Sequence, residues 1–415
     1  MTLSSDPTRI MHKMVKVTGL YYLDDSVEIE LRRFRKCIVF SRVGILFMAN
    51  VFFTMLVLAR VFLNMTLMTW NRFDLEYLLL TSWQIQSFLS VLFFMQYQRN
   101  GSMSFIFDVI RKNAHHRSLR KSTVQYATIC ILMSIFFVMI MCFLIGLRMN
   151  ANTIKQAWLG LHRYDFLYTV IRMYGFAVRN VVFCLFMVAV RAITVELERY
   201  NADFEQHFRQ PASVISGGHV LSNYLVNSLL SHNELSENIL RIDKIFQTYT
   251  IFMMVLGTPT TIFTLIILIH RKPTAAAIFT SSVELLLCTI HLIGLTIIPA
   301  QVYSQARQVS EYIHRNKVIW SSCDTKVYQL ANAFMTSVHQ SNVGITIGSY
   351  VTITKSLILK FTSFAIPYII LCLQLRIGAE SEWSKSSSDV TVIPIQDIAG
   401  NISEAIHRFV PPIEE

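Results

Sequence analysis

Seven apolar stretches long enough to cross a lipid bilayer constrain this 415-residue chain more than any other feature. A helix that crosses the hydrocarbon core needs about 20 mainly apolar residues. Charged residues make up only 15% of the chain, against about 25% in an ordinary soluble domain. The sequence therefore predicts an all-α membrane protein with seven transmembrane helices. We number them S1 to S7, near residues 37–63, 77–97, 126–147, 166–193, 246–269, 276–302 and 350–375.

Lysine and arginine predict the orientation of these helices, because positive charge is enriched in cytoplasmic loops. With a cytoplasmic N-terminus, the inner segments carry 21 Lys and Arg residues and the outer segments carry nine. The net charge of +11 then reflects the attraction of inner loops to anionic membrane lipids rather than to nucleic acid. The inner segments are 1–36, 98–125, 194–245 and 303–349.

This orientation leaves the C-terminal segment, residues 376–415, outside the cell. The segment is polar and acidic, so we expect it to be disordered. Two Asn-x-Ser/Thr sequons, at Asn64 and Asn401, would also face outside and are candidate glycosylation sites. The segments 194–245 and 301–342 have apolar residues at helical spacing. We therefore expect S4 and S5 to project into the cytosol and to pack with helices from 301–342 as a membrane-proximal bundle.

Patterns typical of enzymes and metal sites are not found in the sequence. There is no phosphate-binding glycine loop, no His-Glu-x-x-His and no Cys-x-x-Cys. The seven cysteines lie mostly in spans or on the inner side, which argues against a disulfide framework. We expect neither enzymatic activity nor a cofactor or metal.

Six residues of S7 form one narrow, mainly polar stripe, whereas Thr352, Thr354, Lys355 and Thr362 are polar residues that lie off it. At about 100° per residue, the stripe comprises Ser349, Ser356, Lys360, Ser363, Pro367 and Gln374. A polar stripe in a membrane requires water or polar partners. It could therefore line an aqueous pathway. Packing between helices through small serine side chains is the alternative.

Polar and aromatic side chains in other spans are candidate ligand contacts. Glu284 and His291 lie two turns apart on one face of S6. They could form an ion or ligand site, or they could share a hydrogen-bonded packing contact. The outer halves of S2 and S4 carry a mixed aromatic and polar set that could form pocket walls or anchor the helices at the membrane interface. This set is Trp83, Gln84, Gln86, Tyr168, Arg172 and Tyr174.

The end of S7 resembles a known family signature. Residues Pro367–Leu375 read PYIILCLQL, similar to the Thr-Tyr, five hydrophobic residues and Gln-Phe that end insect gustatory receptors. Tyr368 and Gln374 match, whereas Pro367 and Leu375 depart from the signature. Chain length, the seven spans, the orientation and the short outer loops agree with the same family. The resemblance covers roughly residues 10–376 and excludes the acidic tail.

The resemblance implies a fold and a function. Arthropod gustatory and odorant receptors form tetrameric cation channels in the plasma membrane of chemosensory neurons, as homo- or heterotetramers. Four copies of the outer half of S7 line the pore, and a small tastant binds among S2 to S6. The inner parts of S4 to S7 are extended into a cytosolic anchor bundle. Gln374 and Leu375 would lie at the outer gate, and Tyr368 would brace the pore helix or couple the ligand pocket to it. Four Lys360 ammonium groups would repel cations, so this position departs from the expected pore.

Two other functions are compatible with seven spans. A G-protein-coupled receptor needs an extracellular N-terminus and usually Asn-Pro-x-x-Tyr in its last helix, but Pro367-Tyr368 lacks the Asn. A small-solute transporter could use Glu284, His291 or Arg172 as a relay. Such folds often contain two corresponding halves, and the sequence contains no such repeat.

Overall fold

The structure, a computed structural model, is helical in nearly all of the residues that it describes. These are residues 51, 52, 54–56, 58, 59, 62, 75–115, 117–150, 165–209, 218–270, 275–321, 324–341, 343–363, 366, 367 and 370. The chain divides into two compact units, Met1–Phe364 and Ala365–Glu415. The segments 1–36 and 376–415 and the sequons at Asn64 and Asn401 lie outside the described residues.

Eight helices and two short strands have bounds within the described residues. They are α1 (Leu75–Arg99), α2 (Ser102–His115), α3 (Arg117–Asn150), α4 (Asp165–Arg209), α5 (Gly218–His270), α6 (Ala275–Arg315), α7 (Lys317–Ser321), α8 (Thr325–Gln340), β1 (Thr346–Ile347) and β2 (Val351–Thr352). Residues 355–363 are also helical and are called α9. The helices α1, α3, α4, α5 and α6 contain the stretches predicted as S2 to S6.

Three helices of the described residues are long and apolar enough to cross a membrane. They are Met173–Phe208, His219–Ile269 and Ser281–Arg315, with a shorter apolar helix at Gln125–Ile140. The structure thus confirms a helical, membrane-type protein. The total of seven spans and their orientation stay predictions.

Helix α4 forms the centre of the helical core. Of the 18 consecutive residues that form its most apolar stretch, 83% are buried. In the corresponding stretch of α5 the buried share is 28%. A helix that is hydrophobic on all sides can be surrounded by protein or by lipid, and the burial of α4 shows that its surroundings are mainly protein. Phe186 of α4 packs against Phe246 and Tyr249 of α5, with ring centroids 5.2 and 5.9 Å apart. α4 therefore positions the side chains that face the interior.

Helix α6 approaches α4 closely at Gly294. A Cβ atom at this position would lie 2.5 Å from Cζ of Phe183 and 3.0 Å from the Met187 side chain. We expect Gly294→Ala to destabilise the protein by about 1–3 kcal/mol, because both neighbours must shift. The midpoint of thermal unfolding in detergent measures the effect.

Gly257→Ala is the matched control for this substitution. Gly257 also lies within a long apolar helix, but a Cβ atom there would meet nothing within 4 Å. Alanine in a helix is favoured over glycine by about 1 kcal/mol, so this variant should be as stable as the parent or more stable. Equal destabilisation by both substitutions would contradict a close contact at Gly294.

The predicted anchor bundle is present in the structure. It consists of the C-terminal parts of α4 and α6, the N-terminal part of α5, and α8, which share a buried core that includes Phe204, Leu225, Val309 and Phe334. Asn201 Nδ2 donates to the carbonyl of Gln305 at 2.8 Å. This confirms that S4, S5 and S6 are extended by packed helices. S7 is not extended in this way, because the non-helical residues 343–354 separate α8 from α9. The side of the membrane on which the bundle lies stays a prediction.

The predicted start of S7 at residue 350 is wrong. Instead, β1 and β2 form an antiparallel hairpin in which Thr346 pairs with Thr352. Its turn contains Gly348 and Ser349, with φ angles of 59° and 66°. The helix begins only at residue 355, after Thr354 Oγ1 accepts from the Leu357 N–H at 3.1 Å. Ser349 is therefore not on the helical stripe.

Candidate functional site

Arg179 of α4 is a charged side chain in the middle of the predicted span S4, and it is only 2% exposed. Its Nη1 donates to Gln86 Oε1 at 2.8 Å. Its Cζ atom lies 4.0 Å from the centroid of the Trp83 ring. A buried charge is costly unless hydrogen bonds and aromatic faces replace water. Arg179 therefore holds α1 and α4 together through two side chains of α1.

Gln86 extends this contact to a third helix. Its Nε2 donates to Thr260 Oγ1 of α5 at 3.0 Å, and Ser82 Oγ lies 2.6 Å from the same hydroxyl oxygen. Gln86 is 4% exposed. One amide side chain thus connects the buried guanidinium of α4 with the hydroxyl groups of α1 and α5.

His291 brings α6 to the same region. Its Nδ1 lies 2.9 Å from the Leu287 carbonyl, so Nδ1 carries the proton and donates. Its ring packs against that of Phe183 of α4 at a tilt of 35°, with centroids 4.4 Å apart. The remaining nitrogen, Nε2, is buried and has no hydrogen-bond partner in the described part of the chain. It therefore offers an unused acceptor.

These side chains surround an internal cavity of about 20 Å³, which we call the Arg179 cavity. This volume holds about one water molecule. Among the described residues, Arg179 Nε and His291 Nε2 are both buried without a hydrogen-bond partner, so a donor and an acceptor are unused. An organic ligand would require about 300 Å³ or more and hence an opening of the helices. The lining is Gln86, Arg179, Phe183, Tyr249, Met253, Gly257, Thr260, Cys288, His291, Leu292 and Leu295.

The structure brings together some of the candidate pocket residues and separates others. Gln86 and His291 line the cavity, and Trp83 contacts Arg179. Glu284 is buried, with 3% exposure, but does not line the cavity, and nor does Tyr174. The side chains of Tyr168 and Arg172 lie outside the described residues, although both positions belong to α4.

Arg179 was not singled out from the sequence, although a signal for it exists. An ionisable residue inside a membrane span is a candidate functional group by default. Its partner Gln86 lies 93 residues earlier in the chain, and no local spacing reveals that contact.

Asp243 of α5, which lies just before S5, holds the β-hairpin. The backbone N–H of Thr346 donates to Asp243 Oδ1 at 2.6 Å, and the Thr346 hydroxyl donates to Oδ2 at 2.9 Å. Burial raises the pKa of Asp243, and these hydrogen bonds oppose the rise. One turn further along, Gln247 is hydrogen-bonded to Ser349 in the turn of the hairpin. Two side chains of α5 thus fix the segment that leads into α9.

The described part of the candidate pore helix presents a polar face. Ser356, Lys360 and Ser363 are all exposed on α9, at spacings of four and three residues. Leu357 and Ile358 instead line an apolar cavity of about 360 Å³ together with α5 residues such as Met254 and Pro259. Tyr368, Gln374 and Leu375 lie outside the described residues.

No group of three or more metal-ligating side chains occurs among the described residues. Cys130, Cys184 and Cys288 are free thiols.

Comparison with known proteins identifies the fold. The chain is similar to the insect olfactory receptor OR5 from Machilis hrabei in complex with eugenol, with a TM-score of 0.67 and 13% identity over 89% of this chain and 97% of that one. A second structure of OR5 from Machilis hrabei gives a TM-score of 0.68 and 12% identity over 88% of this chain and 97% of that one. No family model and no curated protein sequence matches. The chain therefore has the insect olfactory receptor fold.

Proposed function

We propose that this chain is a subunit of a ligand-gated cation channel in the plasma membrane of chemosensory neurons, of the gustatory receptor type. The observation that carries the proposal is the fold shared with OR5 over 89% of the chain. The Tyr368 and Gln374 signature supports the gustatory assignment. Receptors with this fold are expected to work as tetramers, so the exposed face of α9 would line a pore shared by four copies.

The Arg179 cavity is the proposed ligand site. It lies among α1, α4, α5 and α6, which contain S2 and S4 to S6. Its unused donor and acceptor suit a small molecule that carries one acceptor and one donor group on an apolar or aromatic body. OR5 was solved in complex with eugenol, a small phenol. Ligand binding must open the cavity, and a ligand shifts gating only if it binds the open state better than the closed one.

The geometry offers a route from this site to the pore helix. Tyr249, Met253, Gly257 and Thr260 of α5 line the cavity. Asp243 and Gln247, on the preceding turns of the same helix, hold the hairpin that leads into α9. A ligand-induced shift of α5 would therefore move the hairpin and α9.

Patch-clamp recording of cells that express the chain tests the proposal. A panel of sugars, bitter compounds and phenols should include a ligand that evokes a cation current within milliseconds and without GTP in the pipette. Current that requires GTP would indicate a G-protein-coupled receptor, and ligand uptake without current would indicate a transporter. Either result would overturn the proposal. An epitope tag at the N-terminus that antibodies do not reach from outside intact cells would support the predicted cytoplasmic N-terminus.

Lys360 provides a prediction on ion conduction. Four ammonium groups around one pore repel cations, so Lys360→Gln should raise single-channel cation conductance about twofold or more in a homotetramer. Lys355→Gln is the matched control, because Lys355 is also exposed but lies at the first residue of α9. Equal conductance in the parent and in Lys360→Gln would place Lys360 away from the pore.

A further inference from the structure

A second, larger cavity opens where α1 ends, α2 begins and α5 passes beside them. Its volume is about 520 Å³, within the range of small-ligand sites. It shares no lining residue with the Arg179 cavity, and we call it the Arg241 cavity. Its lining is Phe93, Gln96, Tyr97, Asn100, Gly101, Ser102, Phe105, Arg241, Lys244, Ile245, Gln247 and Thr248.

The charged groups of this lining have one sign. Arg241 and Lys244 lie three residues apart on α5, and the lining contains no carboxylate. The Cζ atom of Arg241 lies 4.9 Å from the ring centroid of Phe105, which orients the guanidinium against α2. No ion pair with either cation is found in the described part of the chain. Two such cations at one cavity suit the oxygens of a phosphate group.

Other donors at the cavity add to this preference. Ser102 begins α2, and both Ser102 and Phe105 line the cavity, so the positive end of the α2 dipole lies at its wall. Phe93, Tyr97 and Phe105 give the cavity an aromatic wall. The cavity therefore combines two cations and a helix N-terminus with an aromatic wall.

We propose that the Arg241 cavity binds the phosphate-bearing headgroup of an anionic membrane lipid. The inference rests on the orientation in the proposed function, which makes the segments 98–125 and 194–245 cytoplasmic. The cavity adjoins the end of S2 at residue 97 and the start of S5 at residue 246, and hence lies at the headgroup level of the inner leaflet. Anionic lipids give that leaflet its negative surface potential. Phe93 and Ile245 provide apolar contacts beside the headgroup.

The bound lipid has a direct connection to the candidate gate. Gln247 lines the cavity and is also hydrogen-bonded to Ser349 in the turn of the hairpin. A headgroup that contacts Gln247 alters its hydrogen bond to Ser349, which links α5 to the segment leading into α9. Lipid occupancy therefore regulates opening.

Binding to the full-length protein in phosphatidylcholine nanodiscs tests the site without any recording of current. The probe is a fluorescent short-chain phosphatidylinositol 4,5-bisphosphate, and its anisotropy gives the dissociation constant. The double variant Arg241→Gln, Lys244→Gln should weaken binding about tenfold or more, from the loss of two cation–phosphate contacts. The control Arg315→Gln, Lys326→Gln removes the same charge at exposed positions of the anchor bundle and should bind like the parent.

Three outcomes would overturn the proposal. They are equal binding by the parent and the Arg241 variant, equal losses in both double variants, and competition by free inositol trisphosphate as strong as that by the lipid. The last outcome would indicate a soluble phosphate ligand. A chain that binds the lipid but never conducts would refute the proposed channel function and leave the lipid site supported, so the two failures are distinguishable.

Discussion

Arg179→Ala should abolish ligand-evoked current and lower the unfolding temperature of the protein, with the largest effect of any single substitution. It removes the donor to Gln86 Oε1 and the cation above Trp83, in a region without other partners for that oxygen among the described contacts. A buried polar atom left unsatisfied costs about 1–3 kcal/mol, and the void left by the side chain adds to the loss. Thermal unfolding in detergent and dose–response recording measure the two effects.

Arg199→Ala is the control for loss of an arginine from the same helix. Arg199 forms an ion pair with Asp203 at 3.4 Å, and both side chains are at least one-third exposed. Exposed pairs of this kind contribute only about 0.3–0.5 kcal/mol. Parent-like stability and current in both variants would show that the buried guanidinium is not required.

A double-mutant cycle isolates the contact between Arg179 and Gln86. The variants are Arg179→Met, Gln86→Leu and the two together, because both replacements keep apolar volume in the core. A hydrogen bond to a charged group contributes about 1.5–3 kcal/mol, so the coupling energy should fall in this range. Additive effects of the two single substitutions would contradict direct coupling.

Asp243→Ala should separate ligand binding from channel opening. The substitution leaves the Thr346 N–H without its acceptor and releases β1 from α5. Because α9 follows this hairpin, we expect the maximal ligand-evoked current to fall about tenfold or more, which corresponds to about 1.4 kcal/mol of lost coupling. Ligand affinity measured on purified protein should change far less, since Asp243 does not line the Arg179 cavity.

Two further variants define the role of the Asp243 carboxylate. Asp243→Asn retains one acceptor oxygen and should give an intermediate current. Glu237→Ala removes an exposed carboxylate from the same helix and should leave the current unchanged. Parent-like currents in Asp243→Ala would contradict a role of the hairpin in gating, and a parallel loss of ligand affinity would indicate general damage to α5.

The long helices of the core could be predicted from the sequence because their signal is local. Apolar runs of about 20 residues require helices in a membrane, and helical spacing beyond S4 and S5 predicted the extensions that form the anchor bundle. The structure confirmed both. Spacing on one helix was a weaker guide to the site, since Glu284 and His291 share a face of α6 but only His291 lines the cavity.

The start of S7 could not be predicted from residue spacing. Val351, Thr352 and Ile353 are all β-branched and only Thr352 is polar, which suits a strand as well as a helix. The choice depends on Asp243, which holds Thr346 from 103 residues earlier in the chain. The site around Arg179 depends on a similar long-range contact to Gln86. Interactions between distant segments, rather than local propensity, decided both points.

Modification of single cysteines on α9 by a charged thiol reagent, during patch-clamp recording, tests most directly whether this helix lines an ion pathway. The polar-face variants are Ser356→Cys, Lys360→Cys and Ser363→Cys, and the controls are Leu357→Cys and Ile358→Cys, which line the apolar cavity with α5. The parent chain, with its seven native cysteines, provides the baseline. We expect the reagent to change ligand-evoked current by more than about half at the polar face and to leave the controls unaffected. Modification that alters current only at residues 357 and 358 would contradict a pore lined by α9.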